Sequence, residues 1–379
     1  MRTYLDHNAT APHRPEVRAA MIAALDCVGN PSSIHAEGRR ARAIVDDARE
    51  QVAALAGARP ADVIFTSGAT EASNAVLRGT WRRLVVTRLE HPSVLAPALA
   101  STAECVEIAV DASGVADAGR FAEALAVGTG PNSDTLVVLQ AANNEIGTLQ
   151  PVAEVAEIAA AHGARVLCDA VQAAGRLPLD FAAGGVDYMT LSAHKLGGPK
   201  GVGALIAREG APLTSLHVGG GQERRRRGGT ENVVGIAGFG AAATAARRDL
   251  ADMARIARLR DRLEREVLAA SPEAAIIGRD GPRLANTMCL AWPGASAVTL
   301  VIKLDLAGIA VSAGAACSSG KVGASEVLAA IGLAPDLARS AIRVSLGWST
   351  TERDIDAFLK TWRTIAGRTT TRPHERAVA

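Results

Sequence analysis

The chain has 379 residues, of which 48% are hydrophobic and 21% charged, with a formal net charge of +2. That length suits a large domain plus a smaller one, and the near-neutral balance gives no reason to expect nucleic acid or a membrane as partner. No apolar run reaches 18 residues and the opening Met1–Asp6 lacks a signal-peptide core, so a cytoplasmic protein is expected.

Between about residues 60 and 210, short apolar runs alternate with helical patterns. The runs are VIFT (63–66), LVVT (84–87), CVEIAV (105–110), TLVVLQ (135–140), RVLCD (165–169), DYMTLS (187–192) and GVGALIA (201–207). Helical periodicity falls at roughly 70–79, 115–127 and 151–162. Strands without polar alternation, separated by helices, predict an α/β fold with a mainly parallel seven-stranded sheet covered on both faces. A long helix over about 236–270 then leads into a smaller α+β unit. Its strands are expected near 287–291, 309–313 and 341–346, with a helix near 296–307 and a last helix opened by a Ser349–Glu352 capping box. The expected division is 15–250 for the large domain, 1–14 with 251–367 for the small one, and a tail over 368–379.

Five cysteines, at 27, 105, 168, 289 and 317, are scattered without a CxxC pair. The pattern argues against a disulfide framework or a zinc site, and no metal is expected. Cys105, Cys168 and Cys289 sit in strand-like runs and read as small buried hydrophobes. Cys27 follows a helical pattern. Only Cys317 lies in a loop of small residues, SAGAACSSGKV (312–322). That loop is not a Walker loop: five residues separate Gly314 from Gly320, and Val322 stands where a hydroxyl would hold magnesium.

Ligands of such sheets bind in loops at the carboxyl ends of strands. After VIFT comes Ser67-Gly68-Ala69-Thr70, a turn opening a helix, where free amides favour phosphate; Thr70 either caps the helix or donates to a bound phosphate. Only five lysines occur, and Lys195 stands where DYMTLS ends, beside His194. A lysine so placed suits a Schiff base to a carbonyl cofactor, or a snorkelling surface position, which Lys200 fits better. Pyridoxal phosphate needs a carboxylate at its ring nitrogen. Asp169 could serve there or as a helix cap, with Gln172 one helical turn on. His91 ends another strand and could stack on the ring, while Asn143-Asn144-Glu145 follows TLVVLQ at the same edge.

With these residues in place, the chain resembles the NifS/IscS-type cysteine desulfurases of the class-V aminotransferases, on fold type I of pyridoxal-phosphate enzymes. The resemblance runs from Tyr4-Leu5-Asp6-His7-Asn8-Ala9-Thr10 to Arg343-Val344-Ser345-Leu346-Gly347, through TSGATE (66–71), NNEIG (143–147), DAVQ (169–172), SAHKLGGPKG (192–201), RRGGTEN (226–232) and GAAC (314–317). It implies that Lys195 bears pyridoxal 5'-phosphate, that Asp169 and Gln172 hold its ring, and that His91 stacks on it and helps move protons. It implies phosphate binding by the Ala69 amide, Thr70, Ser192 and His194, and by Thr230 in a neighbouring subunit, hence a homodimer. Asn144 and Arg343 would hold the substrate carboxylate, and Cys317 would take sulfur from L-cysteine for a sulfur-acceptor protein such as an iron–sulfur scaffold. Selenocysteine lyase, another class-V reaction, and a sulfur-relay component active only with a partner are the competing readings.

Overall fold

The structure, a computed structural model, describes residues 2–127, 134–314 and 325–370. Cys317, Lys321 and the tail beyond residue 370 lie outside the described residues. Among the described residues no helix is long and apolar enough to cross a membrane.

All seven apolar runs enter one sheet. Its order is Val63–Thr66, Gly203–Ala207, Tyr188–Ser192, Arg165–Asp169, Thr135–Gln140, Arg83–Thr87 and Glu104–Ile108. Every pairing is parallel except those of Gly203–Ala207, which runs against both its neighbours. Alternation along each strand divides the side chains between two cores. Val137, Leu139, Val166, Cys168, Leu191 and Ile206 pack beneath helices Ala36–Ala56, Val152–Ala161 and Val233–Arg248. Leu136, Val138, Leu167, Tyr188 and Leu205 face helices Ala69–Leu77 and Pro92–Leu99. Burial on both faces is why these strands read as continuous apolar runs.

A second sheet, antiparallel, orders Ser312–Ala313, Ile342–Ser345, Thr287–Ala291 and Ala275–Ile277. Its core draws on Leu5, Leu263, Met288, Leu304, Phe358 and Trp362. Leu5 arrives there because Thr3–Tyr4 pairs in parallel with Ile309–Ala310.

Three local expectations are corrected. The helix expected over 236–270 is two helices, Val233–Arg248 and Met253–Ala270, joined by a tighter turn over Asp249–Asp252; Asp249 there is drawn to Arg14 and Arg248. The strand expected over 309–313 splits into Ile309–Ala310 and Ser312–Ala313, which serve different sheets. The last helix begins at Glu352, so its cap is Thr351, not Ser349, and the reciprocal carboxylate is Asp354, which accepts from Thr351 N at 2.9 Å.

The arginine-rich stretch forms an unusual turn. Glu223, Arg224 and Arg225 all have left-handed backbones, with φ of 45°, 57° and 66°. Each such residue costs about 1–2 kcal/mol without glycine. The buried Glu223 carboxylate holds the turn in place: it takes two 2.8 Å bonds from Arg49 and one of 3.0 Å from Phe65 N. Breaking a buried bidentate pair on one side leaves a charge stranded. Glu223→Ala should therefore lower stability by about 3 kcal/mol or more, whereas Arg225→Gly should raise it by roughly 1 kcal/mol. Urea midpoints of the two variants against the parent chain check both signs.

Candidate active site

The carboxyl edge of the large sheet opens into a cavity of about 590 Å³. Its wall carries Ala69, Thr70, His91, Asn144, Asp169, Gln172, Ser192, His194 and Lys195, each delivered by a strand end or the turn after it. Among the described residues, no group of three His, Cys, Asp or Glu side chains is arranged to hold a metal ion.

One end of the cavity is backbone. Helix Ala69–Leu77 points its N-terminus inward, after a turn that settles against Gly203. A Cβ at Gly203 would stand 2.7 Å from Gly68 Cα, so only glycine lets the turn lie that close. Glu71, the acid beside this end, is engaged by Arg227 at 3.0 Å and by Ser67 N at 2.7 Å, which hold its carboxyl below the usual range against the upward push of burial. Ser192 is buried, and His194 Nδ1 meets Thr10 Oγ1 at 3.2 Å. Burial, aided by Lys195 and Lys200, pulls His194 down to about 4, so it is neutral near pH 7.

Lys195 ends a short turn, Ala193–Lys195, directly after its strand. Its Nζ donates to Asn8 O at 2.5 Å and Ala9 O at 3.0 Å. Lys200 is exposed at the rim.

At the other end, Asp169 is buried, with Oδ1 accepting from Val171 N at 2.9 Å. No helix directly follows among the described residues, so the expectation of a helix cap and of Gln172 one helical turn on is corrected: the bond closes a turn after the strand. Burial pushes that carboxyl up, with the backbone bond, His91 and Lys195 pulling against it. His91 caps helix Pro92–Leu99 by accepting from Ser93 N at 3.0 Å on Nδ1. That bond places the proton of the neutral ring on Nε2. Burial, with Lys195, keeps the His91 pKa below its ordinary value. Gln172 donates from Nε2 to Asn8 O at 3.1 Å, and its Oε1 accepts from Arg176. The amide nitrogen keeps a second hydrogen for a ligand.

Two expected residues stand off the cavity wall. Arg343 is 2% exposed and is spoken for: Nη2 donates to Asp6 Oδ1 at 2.9 Å and Nη1 to Asn144 O at 3.0 Å. Thr230 lines a separate cavity of about 150 Å³ that shares Ser67 and Gly201 with the main one. Cys317 falls outside the described residues. Of the other cysteines, Cys168 and Cys289 are buried, and burial pushes the Cys289 thiol up to about 12 and that of Cys168 further still. Burial also raises the Cys105 thiol, and neither it nor Cys27 lines the cavity.

The sequence reading overlooked several residues. Asn8 is the chief one: Nδ2 donates to Asn144 O and Thr287 Oγ1, Oδ1 accepts from Asn286 Nδ2, and its carbonyl serves Gln172 and Lys195. Glu90 is 2% exposed, with Oε1 accepting from Gln140 N at 2.9 Å and Oε2 unpartnered among the described residues. Burial, with Asp169 nearby, pushes its carboxyl well up. Nothing in a single sequence marks these as different from ordinary polar residues.

Residues 3–358 match the family described as aminotransferase class-V. The chain is 40% identical to an IscS-like cysteine desulfurase of Mycobacterium tuberculosis, over 94% of each chain. It is 42% identical to a cysteine desulfurase of Cereibacter sphaeroides, over 95% of this chain and 94% of that one. A solved NifS-like protein from Rickettsia africae superposes with a TM-score of 0.90 at 34% identity, covering 97% of this chain and all of that one.

His7, beside Asn8, is 1% exposed and both its ring nitrogens lack partners among the described residues. Gly347 packs directly against the ring, leaving no room for a Cβ. Burial, with Arg176 and Arg14, drives its pKa down to about 3. The unfolded chain protonates this histidine near 6.5 while the folded chain does not, so stability falls as pH drops below 6.5. The loss due to His7 should reach about 2 kcal/mol at pH 5. Urea midpoints at pH 7 and pH 5 should show a smaller acid loss for His7→Gln than for the parent chain.

Proposed function

We infer the working of this site from a firm premise: the chain belongs to the class-V aminotransferase family and is a cysteine desulfurase, mobilising sulfur from L-cysteine. The observation that carries the residue assignments is the meeting of Lys195, Asp169, His91 and a helix N-terminus on one cavity. Pyridoxal 5'-phosphate is the cofactor this reading requires, and the residues fit it. The cavity of about 590 Å³ lies within the usual range for small-ligand sites. In the sheet order the strand before the Ala69–Thr70 turn comes first, that before Lys195 third and that ending in Asp169 fourth, so the amine's strand lies between those of the donors and the carboxyl. When bound there, the cofactor supplies an electron sink that acidifies the substrate's Cα–H and permits cleavage of its C–S bond.

The chain's own residues do the rest. The Ala69 amide, Thr70, Ser192 and His194 hold the phosphate, and Thr230 reaches the phosphate of a second copy in a homodimer. Asp169 would hold the ring nitrogen, Gln172 would offer its second amide hydrogen to the ring oxygen, and His91 would stack on the ring. Lys195 would hold the cofactor through its amine, and its Nζ, when free, would serve as the base for the substrate's Cα proton. The Asn8 and Ala9 carbonyls stand ready to accept the ammonium hydrogens that result. Asn144 and Arg343 take the substrate carboxylate, which requires Arg343 to exchange its bond to Asp6. The bidentate fork of arginine suits that exchange of one carboxylate for another.

Cys317 attacks the substrate sulfur as a thiolate. The new S–S bond forms as the C–S bond breaks. The bonding pair stays with the β-carbon, which takes a proton, the proton held at Lys195 returns to Cα to give L-alanine, and the persulfide remains on Cys317. An acceptor protein such as an iron–sulfur scaffold then takes the sulfur. The state of the other thiols supports this choice, since buried Cys168 and Cys289 resist ionisation.

Product analysis with L-cysteine and a thiol reductant tests the scheme. The purified protein should be yellow and yield alanine and sulfide. Lys195→Ala should lose turnover by at least about 10³-fold together with the lysine-bound cofactor band. Cys317→Ser should keep the band and lose sulfide release; persistent turnover in that variant would remove Cys317 from the mechanism.

A further inference from the structure

Gln172 meets a donor on one side and an acceptor on the other. Its Oε1 accepts from Arg176 Nη1, and its Nε2 donates to Asn8 O at 3.1 Å. The same Nη1 donates to Gln172 O at 2.8 Å, and Nη2 reaches His7 O at 3.4 Å. A guanidinium can only donate, and a carbonyl oxygen can only accept. Exchanging the two ends of the amide would set N–H against N–H and oxygen against oxygen. Arg176 and the Asn8 carbonyl therefore decide together which way round the Gln172 amide lies. One hydrogen of Nε2 is left over, on a side chain that lines the main cavity.

Arg176 is itself held in place. After Asp169, Ala170 O accepts from Ala173 N at 3.0 Å and Ala174 N at 2.9 Å, and Ala173 O accepts from Arg176 N and Leu177 N, both at 2.9 Å. Gly175, between these turns, has a left-handed φ of 69°, and a Cβ there would stand 2.8 Å from Ala246 Cβ and 2.9 Å from Leu196 Cδ2. The turn is thus pressed onto helix Val233–Arg248 and onto the residue after Lys195. The Arg176 side chain is partly buried, and its neighbours do not pair its charge. Arg343 acts on it from one side, while Arg14, Lys195 and His7 share with it a small cavity of about 30 Å³. His7 stays neutral near pH 7, and among the described residues no carboxylate is paired with the guanidinium. A cation set among cations has no ion pair to offset its desolvation. Its side-chain bonds go to Gln172 and to the His7 carbonyl.

We propose that Arg176 is a positioning residue for the cofactor: it orients the Gln172 amide, holding Oε1 on its guanidinium and leaving the second Nε2 hydrogen for the ring oxygen of pyridoxal phosphate. The proposal rests on the reading of Gln172 as the partner of that oxygen. A hydrogen bond donated to an oxygen favours its unprotonated, charged form. A reversed amide would present its own oxygen instead and favour the protonated form. Arg176 does not line the main cavity, so it acts on the ring through Gln172.

Titration of the lysine-bound band in cofactor-loaded protein tests this. Arg176→Met should raise the pH midpoint of the band by roughly 0.5–1 unit. Arg176→Lys, also a pure donor, should bring it back to within about 0.3 unit of the wild type. In a Gln172→Ala background, Arg176→Met should add no further shift, as expected of a residue that acts through another. An unchanged midpoint in Arg176→Met, equal shifts in Arg176→Met and Arg176→Lys, or a full shift that persists without Gln172 would overturn the proposal. Should Arg176→Met fail to fold, Arg176→Gln takes its place. Its amide can donate or accept and no longer dictates the flip, so the midpoint should again rise, and a wild-type midpoint refutes the assignment. The cofactor-free chain gives a readout independent of activity. The side-chain amide protons of Gln172, identified by their absence from the NMR spectrum of Gln172→Ala, should exchange with solvent several-fold faster in Arg176→Met than in the parent chain; equal rates count against the proposal. If Gln172→Ala itself leaves the midpoint in place, the assignment of Gln172 to the ring oxygen fails, and the exchange rates still decide whether Arg176 holds the amide.

Discussion

Asn8 gives each of its polar groups to a different part of the chain. Its amide nitrogens reach Ser345, Thr287 and the Asn144 carbonyl, its side-chain oxygen takes Asn286, and its backbone oxygen takes Gln172 and Lys195. It is 1% exposed, so any bond left unmade would cost the full desolvation of a polar group. That requirement ties the two sheets together at the site. Lys195 and Gln172 belong to the large sheet, Thr287 and Ser345 to the small one, and neither sheet alone would fix the amine. The N-terminal segment is therefore part of the site, carried there by the pairing of Thr3–Tyr4 with Ile309–Ala310.

The charges in the site follow one logic. Burial bends the titratable groups around the cavity toward their uncharged forms: His7, His91 and His194 are pulled down, and Glu90 and Asp169 are pushed up. Arg343 is buried as well, and it is answered by Asp6. Charges that stand in this interior count for more than they would in water, because the interior screens them weakly.

The large sheet was legible because its strands are buried on both faces, which leaves runs such as TLVVLQ and RVLCD with no polar beat. The strand-end residues were legible for the same reason: once the strands are placed, the residue after each one falls at the same edge. Lys195, Asp169, His91 and Asn144 do meet there. What the sequence concealed depends on distant partners. The break at Asp249–Asp252 reflects the pull of Arg14, some 235 positions away. The direction of Gly203–Ala207, the burial of Arg343 and the hub at Asn8 have no local signature. The misplaced cap at Ser349 is a near miss of another kind, since Asp354 competes with Glu352 for the same role.

The reversed strand has a last consequence. Because Gly203–Ala207 runs against its neighbours, it meets the cavity at its beginning, and glycine lets the neighbouring turn sit on bare backbone. Much of the cavity's end at Ala69 is thus made from peptide groups, which every residue supplies. Substitutions there that preserve backbone shape cost little, while at Asn8 a change of a single atom breaks several bonds at once. The backbone end of the cavity therefore depends on chain shape, with Gly203 fixed by close approach, while the hub at Asn8 depends on the identity of each atom.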